Sequence, residues 1–112
     1  MQGVNMVRSH LLGVNMNDAD LRNAQFIYAD MQMAELEDSK MQNAVFIFAK
    51  LMHSNLKGSQ LQGAVLNSAS MANTDLRGAN FEGAVLVGAT MSGAKIDTSM
   101  IQDIKARTGT SW

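Results

Sequence analysis

The block Ala19-Asp20-Leu21-Arg22-Asn23 is followed at once by Ala24-Gln25-Phe26-Ile27-Tyr28, and the two blocks share one pattern. Each begins with a small residue, and a large apolar residue follows two positions later. The pattern continues without a slip to residue 98, with Ala, Ser or Thr at the small position. We call the large residues the centres, and they are Leu21, Phe26, Met31, Leu36, Met41, Phe46, Leu51, Leu56, Leu61, Leu66, Met71, Leu76, Phe81, Leu86, Met91 and Ile96. A repeat of fixed period sustained over most of a chain indicates a solenoid or a repeat array.

The period of five residues decides what kind of solenoid is possible. An amphipathic helix repeats every 3.6 residues and a strand every 2.0, so neither element can place every centre on one side. The chain must instead turn once in each block to keep its centre pointing inward. The sequence therefore predicts a coil with one corner per block and a core made of the centres.

Three blocks match a known repeat especially well: Ala19-Asp20-Leu21-Arg22-Asn23, Thr74-Asp75-Leu76-Arg77-Gly78 and Ala79-Asn80-Phe81-Glu82-Gly83. They resemble the A(D/N)LXX units of the pentapeptide repeat family. The resemblance implies an all-β fold, a right-handed quadrilateral β-helix in which four blocks form one square coil. Residues 1–98 would then form about five such coils, which we expect a short C-terminal capping helix to follow.

A longer period of twenty residues supports the square coil independently. Ala44-Val45-Phe46, Ala64-Val65-Leu66 and Ala84-Val85-Leu86 are spaced by twenty. Residues outside the core therefore also repeat at every fourth block, which a period of five alone would not require.

The β-helix is expected to span residues 1–98, with an irregular first coil at residues 1–18. Val4 and Val14 stand there at small positions, so we expect that coil to be wider than the others. Solenoid ends expose apolar surface and unpaired backbone, and they need a cover. We therefore expect either a longer protein or a second chain at this end.

Residues 99–112 are expected to form a capping helix and tail. Ser99 and Gln102 have the spacing of a capping box, and residues 100–107 carry apolar residues on one side and basic residues in the last turn. Gly109 can end the helix.

Composition excludes several classes of protein. A chain of 112 residues is one domain, and a net charge of −1 with 17% charged residues argues against a polybasic nucleic-acid binder. No apolar run is long enough to span a membrane, and no secretion signal is present, so a cytoplasmic location is the default and a secreted effector domain stays open. There is no cysteine, hence no disulfide or thiolate site.

The sequence predicts no catalytic, cofactor-binding or metal-binding residue, and the protein is not expected to be an enzyme. His10 and His53, the two histidines, fall two layers apart without converging carboxylates. Several serines stand at small positions, where a hydrogen bond to the backbone is reason enough for them: Ser39, Ser54, Ser59 and Ser99.

One face of the coil differs from the other three in its outward residues. It carries the centres Met6, Phe26, Phe46, Leu66 and Leu86, and we call it the apolar face. Its predicted interface residues are Val7, Ile27, Tyr28, Val45, Ile47, Phe48, Val65, Val85 and Val87. Trp112 is expected to dock at the coil end or on a second chain. Contiguous apolar patches of this kind usually mark an interface, although β-branched residues also suit exposed strands.

Two functions follow as hypotheses. The first is a non-enzymatic module that binds a protein partner or itself, either on its own or as one domain of a larger bacterial protein or effector. In that case we expect a homodimer through the apolar face or a coil end, and no nucleic-acid or membrane partner. The alternative comes from the resemblance, since some pentapeptide repeat proteins imitate DNA, bind DNA gyrase and protect it from quinolones. The acidic residues between Asp18 and Asp38 would serve that role here.

Overall fold

The computed structural model describes residues 2–109, and up to residue 97 the backbone repeats one unit of a single bridging residue and a turn. The residue before each centre forms a parallel β-bridge with the residue twenty positions later, from Asn5↔Gln25 to Asp75↔Lys95. Gln25 is typical: its N–H donates to the Val4 carbonyl at 2.8 Å, and its carbonyl accepts from the Met6 N–H at 2.7 Å. The chain therefore rises by one layer every twenty residues, as the sequence period predicts. Its right-handed sense and the count of about five coils stay predictions.

A tight turn joins each block to the next. The centre's carbonyl accepts a hydrogen bond from the N–H three residues later, as between Ala24 and Leu21 at 3.1 Å. The residue two positions after the centre has a positive φ in every block from Gly3 to Gly93. A positive φ at the second central position is the signature of a type II turn. This repeated turn makes the corners of the coil.

The centres fill the interior. From Leu21 to Met91 every centre is at most 1% exposed, and the rings of Phe26 and Phe46 stack with centroids 5.0 Å apart. The inward serines and one threonine each donate a hydroxyl hydrogen bond to the carbonyl three residues earlier: Ser39, Ser54, Ser59 and Thr74. The predicted core and the predicted role of these three serines are confirmed.

The first coil, expected to be irregular, instead forms the same bridges and the same turns as the later coils. It differs in burial, because no described layer covers it on one side. Its apolar interior residues are therefore only half-buried: Val4, Met6, Leu11, Val14 and Met16. This open side also explains why valine fits at two small positions.

The C-terminal segment leaves the coil through a 3₁₀ turn, Thr98–Met100, and continues as helix α1, Ile101–Thr108. The helix lies one residue later than predicted. The predicted capping box does not form, because Met100 is the N-cap and no side chain caps the helix. Ser99 lies exposed in the 3₁₀ turn, so its predicted inward place was wrong. Gly109 ends the helix with a left-handed φ of 66°.

Helix α1 packs against the end of the coil. Ile104 is fully buried there, and the Gly88 N–H donates to the Thr108 carbonyl at 2.9 Å. The Arg107 guanidinium donates to the Phe81 carbonyl. The helix thus covers apolar core and backbone acceptors of the last coil. Among residues 2–109 no helix is long and apolar enough to cross a membrane.

Candidate protein-binding face

The apolar face is built from three columns of outward side chains, because the bridges stack each position on the one twenty residues later. The column before the centres is Asn5, Gln25, Val45, Val65 and Val85. The column after the centres is Val7, Ile27, Ile47, Asn67 and Val87. The corner column is Arg8, Tyr28, Phe48, Ser68 and Gly88.

The structure places the predicted interface residues on this one face. The most exposed are Val7 at 39%, Val85 at 41%, Tyr28 and Phe48 at 49%, and Val87 at 61%. The others are half-buried among their column neighbours: Ile27, Val45, Ile47 and Val65. Trp112 lies outside the described residues. The result is an apolar surface that runs along the solenoid and carries Arg8 as its one charged residue.

The corner column changes in size along its length. The ring of Phe48 stacks on that of Tyr28 with centroids 5.1 Å apart and planes 7° apart. The Arg8 guanidinium lies 4.8 Å from the centre of the Tyr28 ring, within range of a cation–π interaction. We call these three residues the ridge. Ser68 and Gly88 continue the same column, and we call that part the notch.

The ridge residues occupy a backbone conformation that does not suit them. Arg8, Tyr28 and Phe48 have φ values of 61°, 59° and 58°. Bulky residues are rare at positive φ, where glycine and asparagine are usual. Other blocks have asparagine or glycine at the same corner position, as at Asn23 and Gly58. Met33 and His53 share this conformation on the neighbouring face, so the ridge is distinguished by the stacking of its exposed side chains along one column. Bulky exposed residues in a disfavoured conformation are candidates for function.

Asn67 is the polar interruption of the middle column. Its Oδ1 atom is buried, and no donor among residues 2–109 bonds to it. Its neighbours in the column are Ile47 and Val87, which offer it nothing polar. A buried acceptor without a partner is unfavourable. The sequence carries no signal for it, because the burial depends on side chains twenty residues away.

Exposed apolar residues also occur beyond the ridge, where sequence reasoning expected no bias. Leu12 is 60% exposed and Met33 is 53% exposed. A column of polar and charged residues lies between them and the ridge: His10, Asp30, Lys50, Ser70 and Thr90. The apolar face therefore ends at the ridge, and Leu12 and Met33 are separate from it.

The acidic residues proposed for DNA mimicry lie on another face. Asp18 and Asp38 are exposed there, but the next layers present Lys57 and Arg77 at neighbouring positions. Asp75 and Asp97 follow on the same face, but Asp75 is paired with Arg77, so the uncompensated acidic surface lies in the first two layers.

Two aspartate–arginine pairs bridge the residues on either side of a centre. Arg22 donates two hydrogen bonds to the Asp20 carboxylate at 2.8 and 2.7 Å, and Arg77 binds Asp75 in the same way. The hydrogen bonds from Arg22 lower the pKa of Asp20 from 3.8 to about 2. Those from Arg77 lower the pKa of Asp75. Both carboxylates are therefore ionised and paired at neutral pH.

Among residues 2–109 no group of three His, Asp or Glu side chains is placed to hold a metal ion. An open cleft of about 420 Å³ lies between the last coil and α1, with Asp97 and Arg107 in its lining. Asp97 accepts a hydrogen bond from the Gly78 N–H, and Arg107 pairs with Asp103 at 3.0 Å. Asp97 and Arg107 thus help to hold the end of the coil together.

Two solved structures show the same architecture, and a third matches less well. A pentapeptide repeat protein from the thylakoid lumen of Arabidopsis thaliana superposes with a TM-score of 0.71, at 18% identity over 94% of this chain and 77% of that one. A pentapeptide repeat protein from Nostoc PCC 7120 gives 0.59, at 23% identity over 83% and 84%. The fluoroquinolone resistance protein QnrB1 gives 0.44, at 18% identity over 96% and 64%.

No curated protein sequence matches the chain significantly. The comparison with protein families, in contrast, agrees with the structural comparison. The family described as Pentapeptide repeats matches in eight copies over residues 1–34, 19–58, 34–67 and 59–97. These matches cover nearly the whole solenoid, and the chain belongs to the pentapeptide repeat family.

Proposed function

We propose that this chain is a non-enzymatic interaction module that binds protein through its apolar face, and that it binds a second copy of itself. The observation that carries the proposal is the ridge, where large side chains stand exposed in a conformation that costs the fold energy. Val85 and Val87 extend the apolar surface to the far end of the solenoid. Monomeric proteins seldom expose contiguous apolar surface of this extent.

The shape of the face also suits protein binding. Each layer repeats the same backbone, so the outward side chains rise from a flat and rigid base. A rigid surface loses little conformational entropy when it binds. Aromatic residues at its edge provide the type of contact that dominates many interfaces.

A charge in the middle of the face tests the proposal. Ile47→Lys leaves the core in place, because Ile47 points away from the buried Phe46, but it puts an ammonium group into any interface formed there. Met52→Lys is the matched control, since Met52 is also half-buried directly after a centre but lies on the neighbouring face. Both variants should keep the circular dichroism of the parent.

Multi-angle light scattering reads the outcome. We expect a dimer for the parent and for Met52→Lys, and a monomer for Ile47→Lys. A parent that stays monomeric at all accessible concentrations contradicts self-association. Equal loss of dimer in both lysine variants would show that the apolar face is not the specific binding surface.

The gyrase-binding alternative is ranked second. Imitation of DNA needs negative charge along the length of the solenoid, whereas the later layers of this face mix Asp75 and Asp97 with Lys57, Arg77 and Lys95.

A further inference from the structure

The corner of the apolar face is high at one end and low at the other. The ridge fills it in the layers of Met6, Phe26 and Phe46, and the notch follows in the layers of Leu66 and Leu86. A Cβ atom added at Gly88 would come within 3.2 Å of the Ser68 Oγ atom, so the notch is low but closely built. A partner must match this step to pack without voids.

When two copies pack face to face, the two-fold axis must lie in the plane between the two faces. Two limiting arrangements follow, with the axis either along the solenoid or perpendicular to it. If the axis runs along the solenoid, each layer meets the same layer of the partner. The ridge then rests on the column before the centres and holds the faces apart at that end. The notch end stays empty. If the axis instead runs across the face, perpendicular to the solenoid, the order of layers is reversed. Arg8 and Tyr28 of each copy then enter the notch of the other, and the two Phe48 rings meet at the axis.

We propose that the partner is a second copy docked in this antiparallel order, which rests on the self-association proposed above. Phe48 lies at the two-fold axis against the partner's Phe48. Tyr28 lies over the partner's Ser68, and Arg8 lies at the rim over the partner's Gly88. The only charged residue of the face therefore stays next to solvent.

The antiparallel order also gives the unpaired Asn67 acceptor a donor. Asn67 precedes Ser68, so the Tyr28 hydroxyl of one copy reaches the Asn67 side chain of the other. Rotation about the soft terminal torsion of Asn67 turns its Oδ1 atom toward the interface, and a rotation well short of 180° does so without burying the Nδ2 donors in its place. This accounts for the choice of residues in the ridge: the ring beside the unpaired acceptor carries a hydroxyl, and the ring at the axis is a phenylalanine.

The area fits a weak dimer. The molecule is about 21–22 Å across. Bridged layers are about 4.8 Å apart, so the layers of the face form a surface of roughly 500 Å² per copy. The two copies together would bury roughly 1,000 Å², the lower limit for specific interfaces. We therefore expect dissociation on dilution.

Single-cysteine variants test the order of the layers, because the chain has no cysteine of its own. With a short bismaleimide cross-linker, Ile47→Cys should link to itself across the axis. Val7→Cys and Val87→Cys should each stay unlinked alone and should link when the two are mixed.

Other cross-linking results would overturn the inference in distinguishable ways. Self-linking of Val7→Cys and of Val87→Cys would show the parallel order, and self-association through the face would stand. A chain that is dimeric by light scattering but links in none of the samples has its interface elsewhere, and both proposals fail. A monomeric parent without links also contradicts both.

The hydroxyl contact has its own test. Tyr28→Phe should raise the dimer dissociation constant about tenfold, because it leaves the partner's Asn67 unpaired in the interface. In the background of Asn67→Leu, where no acceptor remains, Tyr28→Phe should have little effect. Circular dichroism of each variant checks the fold. An equal effect of Tyr28→Phe in both backgrounds would overturn the assigned contact.

Discussion

Phe46 and Phe48 provide a matched comparison between the inside and the outside of the coil. Each ring stacks on a ring one layer earlier, Phe46 on Phe26 at 5.0 Å and Phe48 on Tyr28 at 5.1 Å. Phe46 is fully buried, whereas Phe48 is 49% exposed and has a φ of 58°. Three variants, Phe46→Ala, Phe48→Ala and Phe48→Gly, separate ring burial from backbone strain.

The expected magnitudes follow from these differences. Phe46→Ala removes a fully buried ring and should lower the free energy of unfolding by about 3–5 kcal/mol. Phe48→Ala removes a half-exposed ring and one stacking contact, which should cost about 1–2 kcal/mol. Phe48→Gly also relieves a left-handed conformation that costs a residue with a Cβ atom about 1–2 kcal/mol. The greater freedom of glycine in the unfolded chain offsets about 0.4–1 kcal/mol of that gain.

The sign of one difference is the decisive result. Phe48→Gly should be more stable than Phe48→Ala, by up to about 1.5 kcal/mol, although glycine is normally the less stable of the two in regular structure. Denaturant unfolding followed by circular dichroism measures it, in dilute samples so that dimerisation does not contribute. If Phe48→Gly is the less stable variant, the corner is not strained. If Phe48→Ala costs as much as Phe46→Ala, the ridge holds the fold together and its proposed role in binding loses its main support.

Three further results are expected. Leu56→Lys places a charge in a fully buried position and should unfold the surrounding coils at room temperature, as measured by circular dichroism. The control Leu56→Met should lower the free energy of unfolding by less than about 1.5 kcal/mol. A native melting temperature for the lysine variant would contradict the inward position of Leu56. Because the pKa of Asp20 is lowered from 3.8 to about 2, its pairing with Arg22 stabilises the fold above pH 4, and this stabilisation is lost as the pH falls through 2. The difference in melting temperature between the parent and Asp20→Asn should therefore be constant from pH 7 to 5 and vanish toward pH 2. A difference that persists in full at pH 2 would show that the ionised Asp20–Arg22 pair is not its cause. In a gyrase supercoiling assay the chain should neither inhibit nor protect at micromolar concentration, and a clear effect that weakens with salt would reverse the ranking of the two functions.

The core and the faces could be predicted from the sequence because the coil imposes one rule on every block. Only the centre and the small partner point inward, so both positions must be apolar or small, and the period is visible without a structure. The apolar face followed from the same rule, since the sequence order assigns each outward residue to a face. Leu56 and Ile47 show the two outcomes, one fully buried and one half-buried on the surface.

Features that depend on contacts between layers could not be predicted in this way. The Tyr28–Phe48 stack and the unpaired Asn67 oxygen each involve residues twenty apart, and their geometry is set by neighbours in the column. The C-terminal end is a different case. Ser99 has the spacing of a capping box, but the chain leaves the coil through a 3₁₀ turn, so Ser99 never reaches the helix N-cap.

The energetics of the corners favour a role for the ridge outside the fold. Three bulky residues in the left-handed region cost about 3–6 kcal/mol relative to glycine, and the greater freedom of glycine in the unfolded chain reduces this difference to about 2–3 kcal/mol. Their mutual contacts, one ring stack and one exposed cation–π interaction, return only about 1–2.5 kcal/mol. Glycine occupies the same position in eight other blocks, so the fold itself has a less strained solution available. The residual cost is therefore best offset by contacts that the isolated chain does not make. A partner surface that accepts Tyr28 and Phe48 would provide them, and the ridge should lose its exposure when that partner binds.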